Sequence, residues 1–312
     1  MILAGIDIGT LTCRLLIAGW QAGQPLVELH SERRVLRLGE GLDHSRKLSP
    51  AAVQRVIEVL REWKGQVTTH RAEAVAVVAT SAVREASNRD AFLDLVRRET
   101  GFTVEIISGE EEARRTLLGI RSGLPAGVTK MLGLDIGGGS TEFILDQPGI
   151  SPIVCSKEIG VVRLTERLLL HDPPTADELQ AARDLVRRTA VEARAKLGDL
   201  AGATFVGTAG TITTLAAMAQ RLPAYVGSRI HNYRLELETI KRLETDILSR
   251  TKAQREGLLG LELGREDVIV AGTVIVRGVM ETLGFETCLV SDLGLREGIV
   301  LDLAARLGRR KA

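Results

Sequence analysis

The sequence predicts a mixed α/β protein built from two related halves. An acidic, glycine-centred turn occurs twice, as Asp7-Ile8-Gly9-Thr10 near the start and as Asp135-Ile136-Gly137-Gly138-Gly139 in the middle. In each half the turn follows an apolar run typical of a buried strand. Residues 121–130 contain two glycines and one proline, which favour turns and interrupt regular structure, so this segment is the best candidate for a linker between the halves. We therefore predict domains at 1–124 and 125–312, and the last helix is free to pack back on the first domain.

The elements follow in order from apolar runs, helical periodicity and capping signals. In the first half these patterns predict strands at 2–8, 11–18, 26–37, 73–79 and 103–107 and helices at 50–63, 88–100 and 109–122. In the second half they predict strands at 130–136, 141–146, 152–158, 203–207 and 286–290, and helices at 161–170, 175–197, 209–220, 236–250, 266–283 and 294–307. Both halves open with strand, turn, strand, strand, so we expect a mixed sheet with flanking helices in each.

The composition describes a globular chain without a strong charge bias. Its 312 residues are 45% apolar, enough for two domains that each bury a core. Lys and Arg number 41 against 40 for Asp and Glu, so no global field attracts nucleic acid or an anionic membrane. Aromatic residues make up only 3% of the chain, which disfavours a module that stacks single-stranded bases.

Cysteine usage and hydropathy indicate a cytoplasmic protein. Cys13, Cys155 and Cys288 are scattered and odd in number, which predicts neither a disulfide framework nor a zinc site. The N-terminus lacks the basic region of a signal peptide, and the sequence has no uncharged apolar run long enough to span a bilayer. We expect a reducing compartment and neither export nor membrane insertion.

The two acidic turns predict metal-assisted phosphate chemistry. Glycines let backbone N–H groups approach an anion closely, and the hydroxyls of Thr10, Thr12, Ser140 and Thr141 add donors. Carboxylates and phosphates repel each other because both are negatively charged. A divalent cation that binds both would allow the acidic residues to lie beside a phosphate held by the turns. A divalent cation is the cofactor that this pattern predicts.

Three adjacent glutamates begin the helix predicted at 109–122. Ser108 as N-cap and Glu111 at N3 form the capping-box pattern, which accounts for Glu111. Glu112 lies about 100° further around the helix and can face a different environment. A carboxylate there can orient and deprotonate a water for attack on a phosphate. The alternative is that Glu112 only supports the helix start or lies on a solvated surface.

Arg84 follows the buried strand predicted at 73–79, in a turn where side chains reach the carboxyl edge of a sheet. A guanidinium matches phosphate oxygens in pairs and stabilises the charge that develops during phosphoryl transfer. The alternative, which the local pattern by itself favours, is a surface ion pair with Glu85 or Asp90.

Gly207-Thr208-Ala209 joins the strand predicted at 203–207 to the helix predicted at 209–220. The free N–H groups at the start of that helix can hold an anion. Tight packing of the strand against the helix is the alternative.

Backbone donors could lower the pKa of Cys13, although a small packing residue is the safer interpretation. His231 lacks a neighbouring metal ligand, so we expect structural hydrogen bonding. P-loop, GxSxG and HExxH motifs are absent from the sequence.

Taken together, these segments resemble the exopolyphosphatase/guanosine pentaphosphate phosphohydrolase (Ppx/GppA) family within the actin, sugar kinase and Hsp70 superfamily. The resemblance covers nearly the whole chain and rests on six blocks in order: Asp7–Arg14, Thr80–Arg84, Ser108–Ala113, Asp135–Glu142, Gly207–Ala217 and Ser291–Gly298. It implies two ribonuclease-H-like (actin-like ATPase) domains with an active-site cleft between them.

The resemblance also implies roles for individual residues. Glu112 corresponds to the catalytic base, Arg84 to a phosphate-binding catalytic residue, and Asp135 and Glu142 to the metal ligands. The acidic-turn pattern adds Asp7 as a further expected metal ligand. The implied phosphate-binding residues are Gly9, Thr10, Leu11, Thr12 and Cys13 in the first turn, Gly137, Gly138, Gly139, Ser140 and Thr141 in the second, and Gly207, Thr208 and Ala209 in the third.

The implied reaction is Mg²⁺-dependent hydrolysis of the terminal phosphoanhydride of inorganic polyphosphate, with release of orthophosphate. One alternative is 5′-phosphohydrolysis of guanosine pentaphosphate (pppGpp). Another is a non-catalytic alarmone or polyphosphate sensor, because Leu11 stands where the family usually has Asn. The expected partners are therefore polyphosphate or pppGpp, without nucleic acid or membrane, and a homodimer is compatible with this assignment.

Overall fold

The chain forms two compact units in the computed structural model, which describes the backbone of residues 1–311 and the side chains of residues 1–309. The first unit comprises Met1–Ser122 together with the segment from Gly294 onward, and the second comprises Gly123–Leu293. The last helix thus belongs to the first unit. Compact units need not coincide with domains that fold independently, and the domain limits 1–124 and 125–312 stay a prediction.

Strands and helices alternate in the first unit much as the periodicity predicts. In chain order they are β1 (Ile2–Ile8), β2 (Thr12–Gly19), β3 (Val27–Val35), α1 (Leu42–Ser45), α2 (Pro50–Thr69), β4 (Ala74–Ala79), α3 (Ser81–Glu85), α4 (Arg89–Thr100), β5 (Val104–Ile106) and α5 (Gly109–Arg121). The five strands form one sheet in the order β3-β2-β1-β4-β5. The first three strands are antiparallel neighbours, and β4 and β5 continue the sheet in parallel with β1.

The second unit repeats this arrangement and extends it. Its elements are β6 (Met131–Ile136), β7 (Thr141–Gln147), β8 (Ile150–Lys157), α6 (Val161–Leu168), α7 (Ala176–Leu197), β9 (Thr204–Thr208), α8 (Ala209–Ala219), α9 (Gly227–Ile230), β10 (Arg234–Glu236), α10 (Leu237–Leu248), α11 (Lys252–Arg255), α12 (Ile269–Leu283) and β11 (Thr287–Val290). The sheet order is β10-β11-β9-β6-β7-β8. Apart from the short edge strand β10, order and directions match the first sheet, which confirms two related α/β units of the ribonuclease-H-like class.

The first sheet is buried on both faces. On one face, Ile6 and Ile8 of β1 pack with Trp63 of α2 in the larger apolar cluster. On the other face, Leu3 packs against α13 (Leu295–Lys311), where Ile299 is fully buried. Consecutive strand residues point to opposite faces and both faces are covered, so β1 is apolar except for Asp7, which it holds in a buried position near its end.

Two negative findings concern the described residues. Among them, no helix combines the length and apolar character needed to cross a membrane. The thiols of Cys13, Cys155 and Cys288 are all free and buried, so each acts as a small packing residue rather than as part of a disulfide.

The start of α7 gives a testable pH dependence. Thr175 and Glu178 form a reciprocal capping box, and Glu178 also bonds the His171 ring at 2.7 Å. The His171 bond, followed by the backbone N–H groups of Thr175 and Leu170, lowers the Glu178 pKa from 4.5 to about 2. A pKa that is lower in the folded state adds stability above the unfolded-state pKa and loses it as the pH falls. Glu178→Gln should therefore lower the urea midpoint at neutral pH. The deficit should shrink as the pH falls from about 4.5 towards 2, and a deficit independent of pH would contradict this assignment.

Candidate functional site

The first turn is held in shape by hydrogen bonds within its own unit. The Gly9 N–H donates to the Thr12 carbonyl at 3.1 Å, and a Cβ on Gly9 would lie 2.7 Å from that oxygen, so the turn requires glycine. The carbonyls of Thr10 and Leu11 accept N–H groups from residues 36–39 at 2.9 Å. In a trans peptide the N–H points opposite to the carbonyl, so the N–H groups of Leu11 and Thr12 point away from residues 36–39.

Cys13 follows this turn and faces the apolar core. Its side chain is fully buried, and desolvation together with the nearby Asp7 carboxylate raises the pKa of the thiol. The hydrogen bond with the Gly9 backbone lowers the pKa by less than burial raises it, so the thiol is not activated and the packing interpretation holds.

Asp7 lies beside a cation of its own unit. It is paired with Arg14 in the β1–β2 register, and the Arg14 Nη1 lies 3.9 Å from the Asp7 Oδ2. Both side chains share one face of the sheet, and Asp7 is buried. A metal bound by Asp7 would thus have a guanidinium as a neighbour, which the sequence pattern did not reveal.

Arg84 and Glu112 are brought together, although 27 residues separate them in the sequence. The Arg84 Nη1 lies 3.6 Å from the Glu112 Oε2 and donates to the Ile107 carbonyl at 2.8 Å. Glu112 is buried. The alternative of a solvated Glu112 is therefore wrong.

The local ion pairs expected for Arg84 are also wrong. Glu85 accepts from the Ser81 hydroxyl and lies 4.0 Å from Arg46, and Asp90 pairs with Arg89. Glu85 and Asp90 thus have partners other than Arg84, and the Arg84 side chain extends to Glu112 at the start of α5.

The helix start at α5 separates its three glutamates. The Ser108 hydroxyl accepts the Glu111 N–H at 3.1 Å, which confirms the N-cap. The Glu111 carboxylate bonds the buried Arg115 at 2.9 Å instead of returning to the Ser108 N–H, so the predicted reciprocal capping box is wrong. Glu110 is exposed and Glu112 is buried. Each acid therefore has a different environment.

The second turn rests against the start of α6. The Gly137 N–H donates to the Ser140 carbonyl at 3.0 Å, and the Thr141 hydroxyl donates to the Ile159 carbonyl. A Cβ on Gly160 would lie 2.3 Å from the Gly138 carbonyl carbon, so α6 can begin here only with glycine before it. The predicted phosphate-binding turn is thus a tightly packed, well-defined structure.

A row of oxygen donors crosses the second sheet beside this turn. Asp135 is directly opposite Glu142 on β7 and Thr208 on β9, so all three side chains share one face. Ser156 extends the row on β8 and donates to the Glu142 Oε1 at 2.7 Å. Asp135 and Glu142 are both buried. The structure therefore brings these two predicted metal ligands together, whereas Asp7 belongs to the other unit.

The donor chemistry of this row fits Mg²⁺. Carboxylate and hydroxyl oxygens are hard ligands, and Mg²⁺ is usually held by one or two carboxylates together with waters and substrate phosphates. Across the described residues, no group of three or more His, Cys, Asp or Glu side chains converges to hold a metal alone. Asp135 and Glu142 would supply two carboxylates to such an ion and leave its other coordination positions to water and phosphate.

The third turn is constrained by packing. Ala209 has a left-handed φ of 69°, which is costly for a residue with a Cβ. A Cβ on Gly207 would lie 2.7 Å from the Cys288 sulfur, which supports the tight-packing interpretation. The Thr208 hydroxyl donates to the Leu293 carbonyl at 3.1 Å. An anion role for Gly207, Thr208 and Ala209 stays a prediction that their backbone N–H groups would have to fulfil.

His231 makes the structural hydrogen bonds expected of it. Its Nδ1 accepts the Asp292 N–H at 3.2 Å, so its Nε2 is the donor to the Gly123 carbonyl at 2.9 Å. Both partners belong to the second unit. This single ring joins the two chain segments at which that unit begins and ends.

Sequence reasoning missed Gly39, Gly160 and Arg163, which hold the turns from distant parts of the chain. Gly39 donates its N–H to the Thr10 carbonyl, and a Cβ there would lie 2.3 Å from the Thr10 methyl carbon. Arg163 is buried and its Nε donates to the Gly139 carbonyl at 2.9 Å. No local signal distinguishes these residues from ordinary glycine and arginine in a loop or helix.

Comparisons with known proteins agree with this geometry. Residues 16–307 match the model of the Ppx/GppA phosphatase family. The chain is 37% identical to exopolyphosphatase 2 of Mycobacterium tuberculosis over 96% of its own length and 98% of the relative's. The crystal structure of the Aquifex aeolicus Ppx/GppA family member superposes with a TM-score of 0.82 at 31% identity and covers 98% of both chains. The guanosine-5′-triphosphate,3′-diphosphate pyrophosphatase of Photobacterium profundum is 29% identical over 97% of this chain and 59% of the relative. The chain belongs to the Ppx/GppA phosphatase family.

Proposed function

We propose that this protein is an exopolyphosphatase that hydrolyses the terminal phosphoanhydride of inorganic polyphosphate and releases orthophosphate. The full-length similarity to an exopolyphosphatase supports this substrate. The observation that carries the chemistry is the buried Glu112 carboxylate with the Arg84 guanidinium 3.6 Å away. A carboxylate and a phosphate-binding cation in contact are the pair that water attack on a phosphate requires.

In this proposal the first unit supplies the proton acceptor. Glu112 orients a water and accepts its proton as the water attacks the terminal phosphorus. Arg84, fixed by its bond to the Ile107 carbonyl, binds phosphate oxygens and stabilises the charge of the transition state. The N–H groups of the first turn, at Thr10 to Cys13, hold the neighbouring phosphates. The cleft between the domains, predicted from the sequence, stays a prediction.

The second unit supplies the metal ligands and a further phosphate cradle. Asp135 and Glu142 would hold Mg²⁺, and a metal role for Asp7 of the first unit stays a prediction. Bound Mg²⁺ neutralises negative charge on phosphate oxygens and on the leaving group. Gly137 to Thr141 and the third turn at Gly207 to Ala209 would donate backbone N–H groups to the phosphate chain.

Asp135→Asn should raise the Mg²⁺ concentration that gives half-maximal phosphate release. We expect an increase of at least about 10–100-fold, the range known for groups one step further from a metal. Asp146→Asn is the matched control, because Asp146 lies opposite Met131 at the far end of the same strand pair. A Mg²⁺ titration unchanged by Asp135→Asn would refute the metal role.

A second candidate substrate is pppGpp, because the chain is also similar to a pyrophosphatase of that nucleotide class over most of its length. Phosphate release from long polyphosphate, tripolyphosphate and pppGpp, assayed in parallel with Mg²⁺, decides between them. Faster turnover of pppGpp would replace the proposed substrate. Tight binding of these compounds without turnover across several divalent metals would instead support a sensor.

We further propose that the protein works in the reducing cytoplasm, which its three free, buried thiols support. Its partners are then the phosphate substrates, without nucleic acid or membrane, in line with the balanced charge. A homodimer stays a prediction.

A further inference from the structure

The start of α6 donates its N–H groups to the second turn. Gly160 precedes the helix without a side-chain cap, and the first helical N–H groups need acceptors. Val161 donates to the Gly137 carbonyl at 3.0 Å, and Val162 donates to the Gly138 carbonyl at 2.9 Å. These helical N–H groups are therefore used to bind the turn and are unavailable to an anion.

The orientation of the turn follows from these bonds. Because peptide units are planar and trans, carbonyls that face α6 force the following N–H groups to point away from it. The N–H groups of Gly138, Gly139 and Ser140 donate to no other group within residues 1–311. They form the concave row of donors that the second turn offers to a phosphate.

The carbonyl of Gly139, the third in the turn, is held by a side chain rather than by a backbone N–H of α6. The Gly139 carbonyl accepts from the Arg163 Nε at 2.9 Å and from no other group in the described chain. The Gly139–Ser140 peptide is the one of the three that no backbone N–H of α6 holds, and glycine at position 139 allows it to rotate. If that peptide flipped, its carbonyl would replace the Ser140 N–H and repel a phosphate.

The Arg163 side chain is buried beside the second turn. Its side chain is only 7% exposed, and its Glu158 neighbour is 3.6 Å away and 74% exposed. An ion pair with so exposed a carboxylate contributes little to stability. The buried Nε–carbonyl bond is one of the contacts that hold the guanidinium.

We infer that Arg163 is a positioning residue for catalysis: it locks the Gly139–Ser140 peptide so that the Ser140 N–H faces the phosphate. The inference rests on the proposed function, because it assigns that N–H to the phosphate being hydrolysed. Arg163 acts through the peptide.

The test compares variants of two arginines on α6. Arg163→Ala removes the bond, Arg163→Lys keeps the charge but replaces Nε, and Arg167→Ala is the control because Arg167 lies one turn later and is exposed. We expect Arg163→Ala to lower kcat for polyphosphate about 10²-fold, the loss typical of one oriented donor. Arg163→Lys should lose roughly tenfold or more if the fixed Nε matters. Arg167→Ala should match the wild type.

Chemical rescue separates positioning from general destabilisation. Millimolar guanidinium should raise kcat of Arg163→Ala, because the ion can fill the vacated space and donate to the Gly139 carbonyl, and it should leave Arg167→Ala unchanged. Wild-type kcat in both Arg163 variants, or a loss that follows only the folded fraction, would overturn the inference. If Arg163→Ala does not fold, Arg163→Lys decides by its kcat per folded molecule.

Orthophosphate binding, measured by titration calorimetry, distinguishes this inference from the proposed function. If the wild type binds orthophosphate but hydrolyses no polyphosphate, the proposed function fails, and weaker binding by Arg163→Ala than by Arg167→Ala still supports the lock. If the wild type hydrolyses polyphosphate and Arg163→Ala is equally active, only the inference fails. A wild type that neither binds nor hydrolyses overturns both.

Discussion

Glu112→Gln should reduce phosphate release from polyphosphate about 10²–10⁴-fold while the protein stays folded. The amide has nearly the same shape as the carboxylate, so packing at the start of α5 is retained. It cannot accept a proton from water, and the contribution of a positioned general base is lost. The 3.6 Å approach to Arg84 also loses its charge complementarity. The measurement is kcat at saturating polyphosphate and Mg²⁺, with thermal unfolding of each variant as a check on folding.

Glu110→Gln is the matched control for this change. It lies in the same helical turn, carries the same charge and is exposed, whereas Glu112 is buried. Both substitutions weaken the favourable interaction of acids with the helix dipole by a similar amount. Only Glu112→Gln should therefore reduce turnover strongly, and full phosphate release by that variant at saturating substrate would refute the base assignment.

The two sheets could be predicted because their signals are local. An apolar run that ends in an acid and a glycine turn gives a strand and its end, and the pattern occurs in both halves. The first turn requires glycine for reasons of backbone contact, because a Cβ on Gly9 would lie 2.7 Å from the Thr12 carbonyl oxygen. The elements that were missed, such as α1, α3 and β10, have five residues or fewer, too short for periodicity to register.

Pairings between distant residues could not be predicted from spacing. Local spacing suggested an ion pair of Arg84 with Glu85 or Asp90, yet the strand-to-helix turn directs Arg84 to Glu112. Likewise the capping pattern explained the backbone bond of Glu111 but not its bond to Arg115, because an i to i+4 partner competes with the reciprocal cap. Arg163 gave no signal at all, since its role depends on which carbonyl lies opposite once the chain has folded.

Close packing of α5 against α13 leads to the largest expected loss of stability. A Cβ on Gly298 would lie 1.7 Å from the Arg115 carbonyl oxygen, and a Cβ on Gly119 would lie 1.8 Å from the Gly294 carbonyl oxygen. The two helix backbones are thus in contact at these glycines. The buried Arg115 of α5 strengthens the same interface through an ion pair with Asp302 of α13 at 3.4 Å, and it also bonds Glu105 of β5 at 2.7 Å.

Gly298→Ala should destabilise the protein by about 3 kcal/mol or more, at or above the upper end of the usual cost of overpacking. The new methyl group meets backbone, which cannot rotate away, so α5 and α13 must separate. Because α5 carries Glu112 as well as Arg115, kcat per folded molecule should fall too. The measurement is the free energy of unfolding in urea, with phosphate release on the same preparations.

Gly308→Ala provides the control, because it makes the same substitution in the same helix where a Cβ would meet nothing within 4 Å. Alanine is the better helix former, so this variant should gain about 0.5–1 kcal/mol. The two substitutions should therefore have opposite signs. If Gly298→Ala also left stability and turnover unchanged, the α5–α13 contact would not fix the start of α5, and the position of Glu112 would have to depend on Arg84 and the sheet alone.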